Sequence, residues 1–158
     1  MFRIRKNPLL FLMVGAGLAA CNTENYVYSP PDTSRAELRL AGLSECEGTL
    51  EGAGLAGERS DRLLAVVENG RVSFEHSGAR FNCCLDNVSL ALEIDGNCIR
   101  VLETEHTAEP CRCVCDFSVG GEITGLGNGS YVLEICSAEA DNIVLSTVQF
   151  TITGKKGE

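Results

Sequence analysis

Two short turn signals constrain most strongly what this chain can fold into. Asn69-Gly70 separates Leu63–Glu68 from Arg71–His76, and Asp95-Gly96 separates Asn87–Ile94 from Asn97–Glu105. Asn-Gly and Asp-Gly supply the positive φ angles of a two-residue β-hairpin turn, and here alternating apolar residues flank both. In the first hairpin such a turn sets Val67 against Val72 and Ala65 against Phe74 on one face. In the second it sets Leu92 against Ile99 and Leu90 against Val101, with Cys98 opposite Glu93 on the other face.

Strand signals continue through Leu38–Leu43, the residues near Ala79–Cys84, Cys113–Ile123, Ser130–Ser137 and Asn142–Thr153. In the last of these Val148, Phe150 and Ile152 alternate with Thr147, Gln149 and Thr151. Val144 extends the apolar face, with Ser146 as its polar interruption. Arg59–Val67 admits a helical reading, but β-branched Val66-Val67 and the turn after them favour a strand. The glycine-rich stretches at Gly52-Ala53-Gly54 and Gly125–Gly129 read as turns or loops. Seven or eight short strands with little helical period predict an all-β fold, a single antiparallel β-sandwich over residues 37–154.

The segment Ile123–Ile135 contains Leu126, Gly127, Asn128, Gly129 and Tyr131 in close order. It resembles the late-strand signature of fibronectin-III-like and related immunoglobulin-like sandwiches. The resemblance spans about 15 residues and implies an immunoglobulin-like arrangement. Leu126 would plug the core, and Tyr131 would form a tyrosine corner, its ring inside and its hydroxyl bonded back to the backbone. Cys136 follows the tyrosine by five positions rather than two, and the chain has no tryptophan, so an antibody-type domain is excluded.

At the N-terminus, Arg3, Arg5 and Lys6 precede an apolar run from Leu9 to Val14 and small residues up to Ala20. That order is the pattern of a secretory signal over residues 1–20. Its apolar stretch, about 12 residues, is shorter than the ~20 of a membrane-spanning helix. Leu18-Ala19-Ala20-Cys21 resembles the lipobox of bacterial lipoproteins. The resemblance implies a diacylglycerol thioether on Cys21, an acylated amine, and a membrane partner reached through that covalent lipid, with no other cofactor. Residues 21–36, with the Ser29-Pro30-Pro31-Asp32 breaker, are expected as a flexible tether. Asn22 after the cysteine implies sorting to the outer membrane in a two-membrane host. The stretch from Asn82-Cys83-Cys84 to Cys111-Arg112-Cys113-Val114-Cys115 is similar to an uncharacterised group of bacterial lipoproteins, a likeness that brings no activity. Residues 155–158 are expected as a frayed tail.

Composition narrows the partners. The 158 residues carry 13 basic and 22 acidic side chains, a formal charge of −9. Loss of residues 1–20 removes three basic groups and no acids, leaving about 138 residues at −12, enough for one core. Such an acidic domain repels phosphate backbones and anionic lipid, so nucleic acid is not expected as a partner. The acyl group is expected to be the whole membrane contact.

Beyond Cys21 the chain has eight cysteines: Cys46, Cys83, Cys84, Cys98, Cys111, Cys113, Cys115 and Cys136. An even number in an exported domain reads first as a disulfide framework. Adjacent or alternate cysteines on a strand bridge one another poorly, so Cys83 and Cys84 should take different partners, as should Cys111, Cys113 and Cys115. Sequence leaves the pairing open. A second reading is a thiolate site for copper or zinc, with Cys111, Cys113 and Cys115 on one face of an extended segment and His76 or His106 adding a nitrogen. Redox catalysis lacks the Cys-x-x-Cys spacing and the helix that lowers a thiol pKa.

Two histidines, His76 and His106, and no nucleophile elbow give a hydrolytic triad no support. Phosphate-loop, dinucleotide and calcium-loop spacings are absent too. Both histidines read as solvated or structural, and the scattered acids as a solvated surface. The sequence therefore predicts a non-enzymatic, lipid-anchored structural or interaction module of the cell envelope with an envelope protein as partner. The alternative is a metal-binding envelope lipoprotein.

Overall fold

A computed structural model describes residues 31–47, 61–138 and 142–154. The expected signal peptide, Cys21, the tether up to residue 30, the Gly52-Ala53-Gly54 loop and the tail at 155–158 lie outside the described residues.

The described chain is all-β. Eight strands follow one another: β1 (Glu37–Leu43), β2 (Arg62–Glu68), β3 (Arg71–Asn82), β4 (Asn87–Asp95), β5 (Cys98–His106), β6 (Val114–Thr124), β7 (Gly129–Ser137) and β8 (Ile143–Ile152). They form two four-stranded sheets, ordered β1-β6-β3-β2 and β4-β5-β7-β8, which face each other as a sandwich. The region expected as a separate strand near Ala79–Cys84 is the second half of β3, joined to the first by an irregularity between Ser77 and Ala79. Not every pair is antiparallel: β5 and β7 run parallel, because β6 carries the chain through the opposite sheet between them.

The first hairpin has the register its turn dictates, with Val67 opposite Val72 and Ala65 opposite Phe74. Asn69 and Gly70 both have positive φ, 52° and 76°, as a type I′ turn requires. The second hairpin corrects the expected register by two residues. Ile94 faces Ile99, Leu92 faces Val101, and Cys98 faces Asp95 rather than Glu93. The turn is Gly96-Asn97, and of these two only Gly96 has positive φ, at 60°. Glycine at the first central position is the type II′ requirement, and it outcompetes Asp95-Gly96 as the turn. A two-residue shift leaves every side chain on its expected face, so Ile99 and Val101 are still buried.

Between the sheets lie Val72, Phe74 and Ile123 from one side and Ile99, Val101, Tyr131, Leu133 and Ile135 from the other. Phe74 sits over Gly121, its register partner, where any side chain would overlap the ring. Val148, Phe150 and Ile152 join this core from β8. Val144 does not extend their face. An irregularity between Ile135 and Cys136 turns it outward, and it is 45% exposed. A smaller cluster of Ala79, Val88 and Val119, with Leu43, Phe81 and Leu85 against it, fills the end where β3 and β5 finish.

Candidate functional site

Six of the cysteines gather at that same end. β6 lies between β1 and β3, so its first residues are flanked by the ends of both strands. On one side Asn82 pairs with Val114, and beyond it the Cys83 N–H donates to the Cys113 carbonyl at 3.2 Å. On the other side Ser44 and Glu47 donate to the carbonyls of Ser118 and Asp116, both at 2.9 Å, and bring Cys46 to Cys115. Three disulfides result: Cys46–Cys115, Cys83–Cys113 and Cys84–Cys111, with Cα separations of 5.7, 5.6 and 5.5 Å. These separations fall within the range a bridge spans without moving the backbone. Cys83 and Cys84 take different partners, and so do Cys111, Cys113 and Cys115.

Asn82 organises the loops that carry these bridges, a role its sequence position does not advertise. Its side-chain carbonyl accepts from the N–H groups of Cys84 and Cys111, both at 2.9 Å, and its amide donates to the Cys111 carbonyl at 2.8 Å. Its own backbone N–H donates to Glu105 Oε2 at 3.0 Å. Only the Cys84 bond, to a residue two positions on, follows a local turn pattern readable from the chain. The other contacts come from residues more than twenty positions away.

The three sulfurs of Cys111, Cys113 and Cys115 are not presented together. Cys111 and Cys113 precede β6 rather than alternating along it, and each of the three joins a different bridge. Among the described residues no group of three His, Cys, Asp or Glu side chains is placed to hold a metal ion. His106 is exposed, its Nε2 2.8 Å from Ser89 Oγ.

Of the two roles expected for His76, solvated or structural, it takes the structural one. It continues the inward row Val72-Phe74 on β3 and is completely buried. Its Nδ1 lies 3.1 and 3.0 Å from the two carboxylate oxygens of Glu103, which extends the inward row Ile99-Val101 on β5. Among the described residues its Nε2 has no hydrogen-bond partner. Glu103 also borders a cavity of about 40 Å³, shared with Asp61, Arg80 and Ser137. The pair is a buried polar tie between the sheets, and its hydrogen-bonded ring nitrogen faces the carboxylate rather than solvent.

Cys136 corrects the expectation that all eight cysteines pair: it is free and fully buried. It points to the outer side of β7, where its register neighbours are Leu102 and Val144, so no sulfur of an adjacent strand faces it. Burial, followed by the negative charge of Glu134, pushes its thiol pKa above the ordinary value. Cys98 is buried on the outer side of β5, and its Sγ lies 3.8 Å from Glu134 Oε2. Glu134 is in turn held by Arg100 Nε at 3.1 Å.

The opposite end holds the β6–β7 loop. Leu126 is buried, and the Tyr131 hydroxyl donates to the Gly127 carbonyl at 2.9 Å while its ring stacks on Phe150 at 5.4 Å. The Gly127 N–H donates to the Asp32 carbonyl at 2.8 Å, so the chain reaches the sandwich at this end. An open groove of about 710 Å³ here is lined by residues such as Val67, Asn69, Leu126 and Ile152, with no acidic, basic, histidine or cysteine side chain.

Compared with models of known protein families, with curated proteins and with solved structures, the chain matches none.

Proposed function

We propose that this chain is a lipid-anchored module of the cell envelope, built to persist outside the cytosol and to serve a structural or interaction role rather than a catalytic one. The observation that carries the reading is the cluster of three disulfides at one end of the sandwich. Such bonds persist where oxidation is the default, which agrees with the secretory pattern of residues 1–20 and the lipobox-like Leu18-Ala19-Ala20-Cys21.

Geometry adds a direction. Asp32 meets the sandwich beside Gly127, at the end remote from the disulfides. With Cys21 acylated, the bridged end is the one presented away from the bilayer. The non-catalytic part of the reading is supported by the enclosure of His76 and Glu103, whose side chains are about 1% exposed or less. In a two-membrane host Asn22 assigns the domain to the outer membrane.

The test is Cys21→Ala in the producing host, followed by carbonate washing and a peptide map. The expected result is a folded, soluble domain with the three bridges intact, while the unaltered chain stays with membranes and carries lipid on Cys21. A variant retained in the membrane fraction, or a native Cys21 joined to another cysteine instead of lipid, overturns the anchor.

A further inference from the structure

Among the described residues β2 is the outermost strand of its sheet and pairs on one side only, with β3. Native edge strands are usually protected by proline, a bulge, lysine or an inward-pointing charge. β2 has none of these: its sequence is Arg-Leu-Leu-Ala-Val-Val-Glu, in unbroken register with β3. Its exposed row is Arg62, Leu64, Val66 and Glu68, with Leu64 at 46% and Val66 at 55% exposure.

We infer that β2 is a self-association edge, pairing antiparallel with β2 of a second copy of this chain about a two-fold axis through Ala65. Residues whose numbers sum to 130 then face each other. Arg62 meets the second copy's Glu68 at both ends, and Leu64 meets its Val66 twice between them, so the exposed row is complementary to itself. Neither Arg62 nor Glu68 is held by an ion pair within the described chain, since the arginine opposite Glu68, Arg71, bonds Glu122 instead.

Backbone parity agrees with this register. Glu68 and Arg71 flank a two-residue turn and therefore form a hydrogen-bonded pair. Alternation then directs the N–H and C=O groups of Arg62, Leu64, Val66 and Glu68 toward β3, and those of Leu63, Ala65 and Val67 outward. Pairing about Ala65 joins these outward groups as three hydrogen-bonded residue pairs. The exposed row falls at the non-hydrogen-bonded positions, where cross-strand side chains approach most closely. The two sheets merge into one of eight strands, an isologous contact that closes on itself. A single strand pair covers less surface than the ~1,200–2,000 Å² of stable complexes, so the dimer is concentration-dependent. The inference goes beyond the anchored-module reading and does not need the lipid.

The test is sedimentation velocity of the full chain in detergent, from about 1 µM to about 500 µM, a span that covers weak association. The expected result is a monomer–dimer equilibrium. Arg62→Glu sets like charges opposite each other at both ends and should weaken dimerisation about tenfold, as should Glu68→Arg. The double swap restores opposite charges and should return it to within about threefold. Val66→Lys should leave the chain monomeric. All three substituted positions are exposed, and intact disulfides with an unchanged circular dichroism spectrum verify folding. A chain that stays monomeric throughout, a dimer unmoved by the single reversals, or a double swap that fails to recover overturns the inference.

Discussion

His76 and Glu103 come from opposite sheets and meet in the interior, with Nδ1 within 3.1 Å of both carboxylate oxygens. A buried acid survives only when paired, and here the pair also leaves one ring nitrogen unbonded. Removing one partner should therefore hurt far more than removing both. His76→Ala strands a buried carboxylate and should lower unfolding free energy by about 3–5 kcal/mol, whereas a double leucine replacement should fall within ~2 kcal/mol of the parent. Urea titration of the single and double variants decides it. Equal losses in the two would show that the contact is not the source of the penalty.

Two bridges share one task. Cys83–Cys113 closes a loop with a sequence separation of 30, and Cys84–Cys111 one of 27, between the same two segments. Once either is formed, the other closes a ring of only a few residues. On chain entropy the second bridge contributes about 2 kcal/mol against about 3.5 for the first. Deleting one pair as alanines should cost about 2 kcal/mol, and deleting both should exceed the summed singles by ~1.5. Simple additivity in such a cycle would refute the shared-loop account.

The Tyr131 hydroxyl closes the β6–β7 loop on Gly127, which also receives the chain at Asp32. Tyr131→Phe keeps the ring against Phe150 but leaves that carbonyl one donor short. The expected loss is about 0.5–1.5 kcal/mol. Amide exchange should also quicken at Gly127 relative to the β5 and β7 cores, and a uniform change across the sheet would count against a local role.

Much of this architecture is legible from alternation alone. The Asn69-Gly70 hairpin follows because both of its central residues accept positive φ, which fixes turn and register together. At Gly96 the glycine has two candidate neighbours, Asp95 and Asn97, and the turn chosen moves the register by two while sparing the faces. The parallel meeting of β5 and β7 has no local signal, since it depends on which sheet β6 joins. His76 and Glu103 did carry one: each sits two positions beyond a buried apolar row, Val72-Phe74 and Ile99-Val101. Polarity alone assigns them to solvent, and only the continued period places them inside. Asn82 is different, because its bonds to Cys111 and Glu105 depend on loops brought together by the fold.

Cys136 gives a chemical readout of that burial. Its thiol is fully enclosed, and desolvation together with Glu134 holds its pKa above the ordinary 9.0. The folded state therefore favours the neutral thiol more than the unfolded chain does. The resulting stabilisation is complete below the unfolded value and is lost as pH rises through the folded one. Cys136→Ser, whose hydroxyl does not titrate there, should flatten the fall in stability above about pH 9. Near neutral pH the native thiol should resist iodoacetamide and react promptly in guanidinium, as read from the mass of its own peptide. Rapid labelling of the folded protein at Cys136 would show that β7 opens on its outer side far more often than its packing implies.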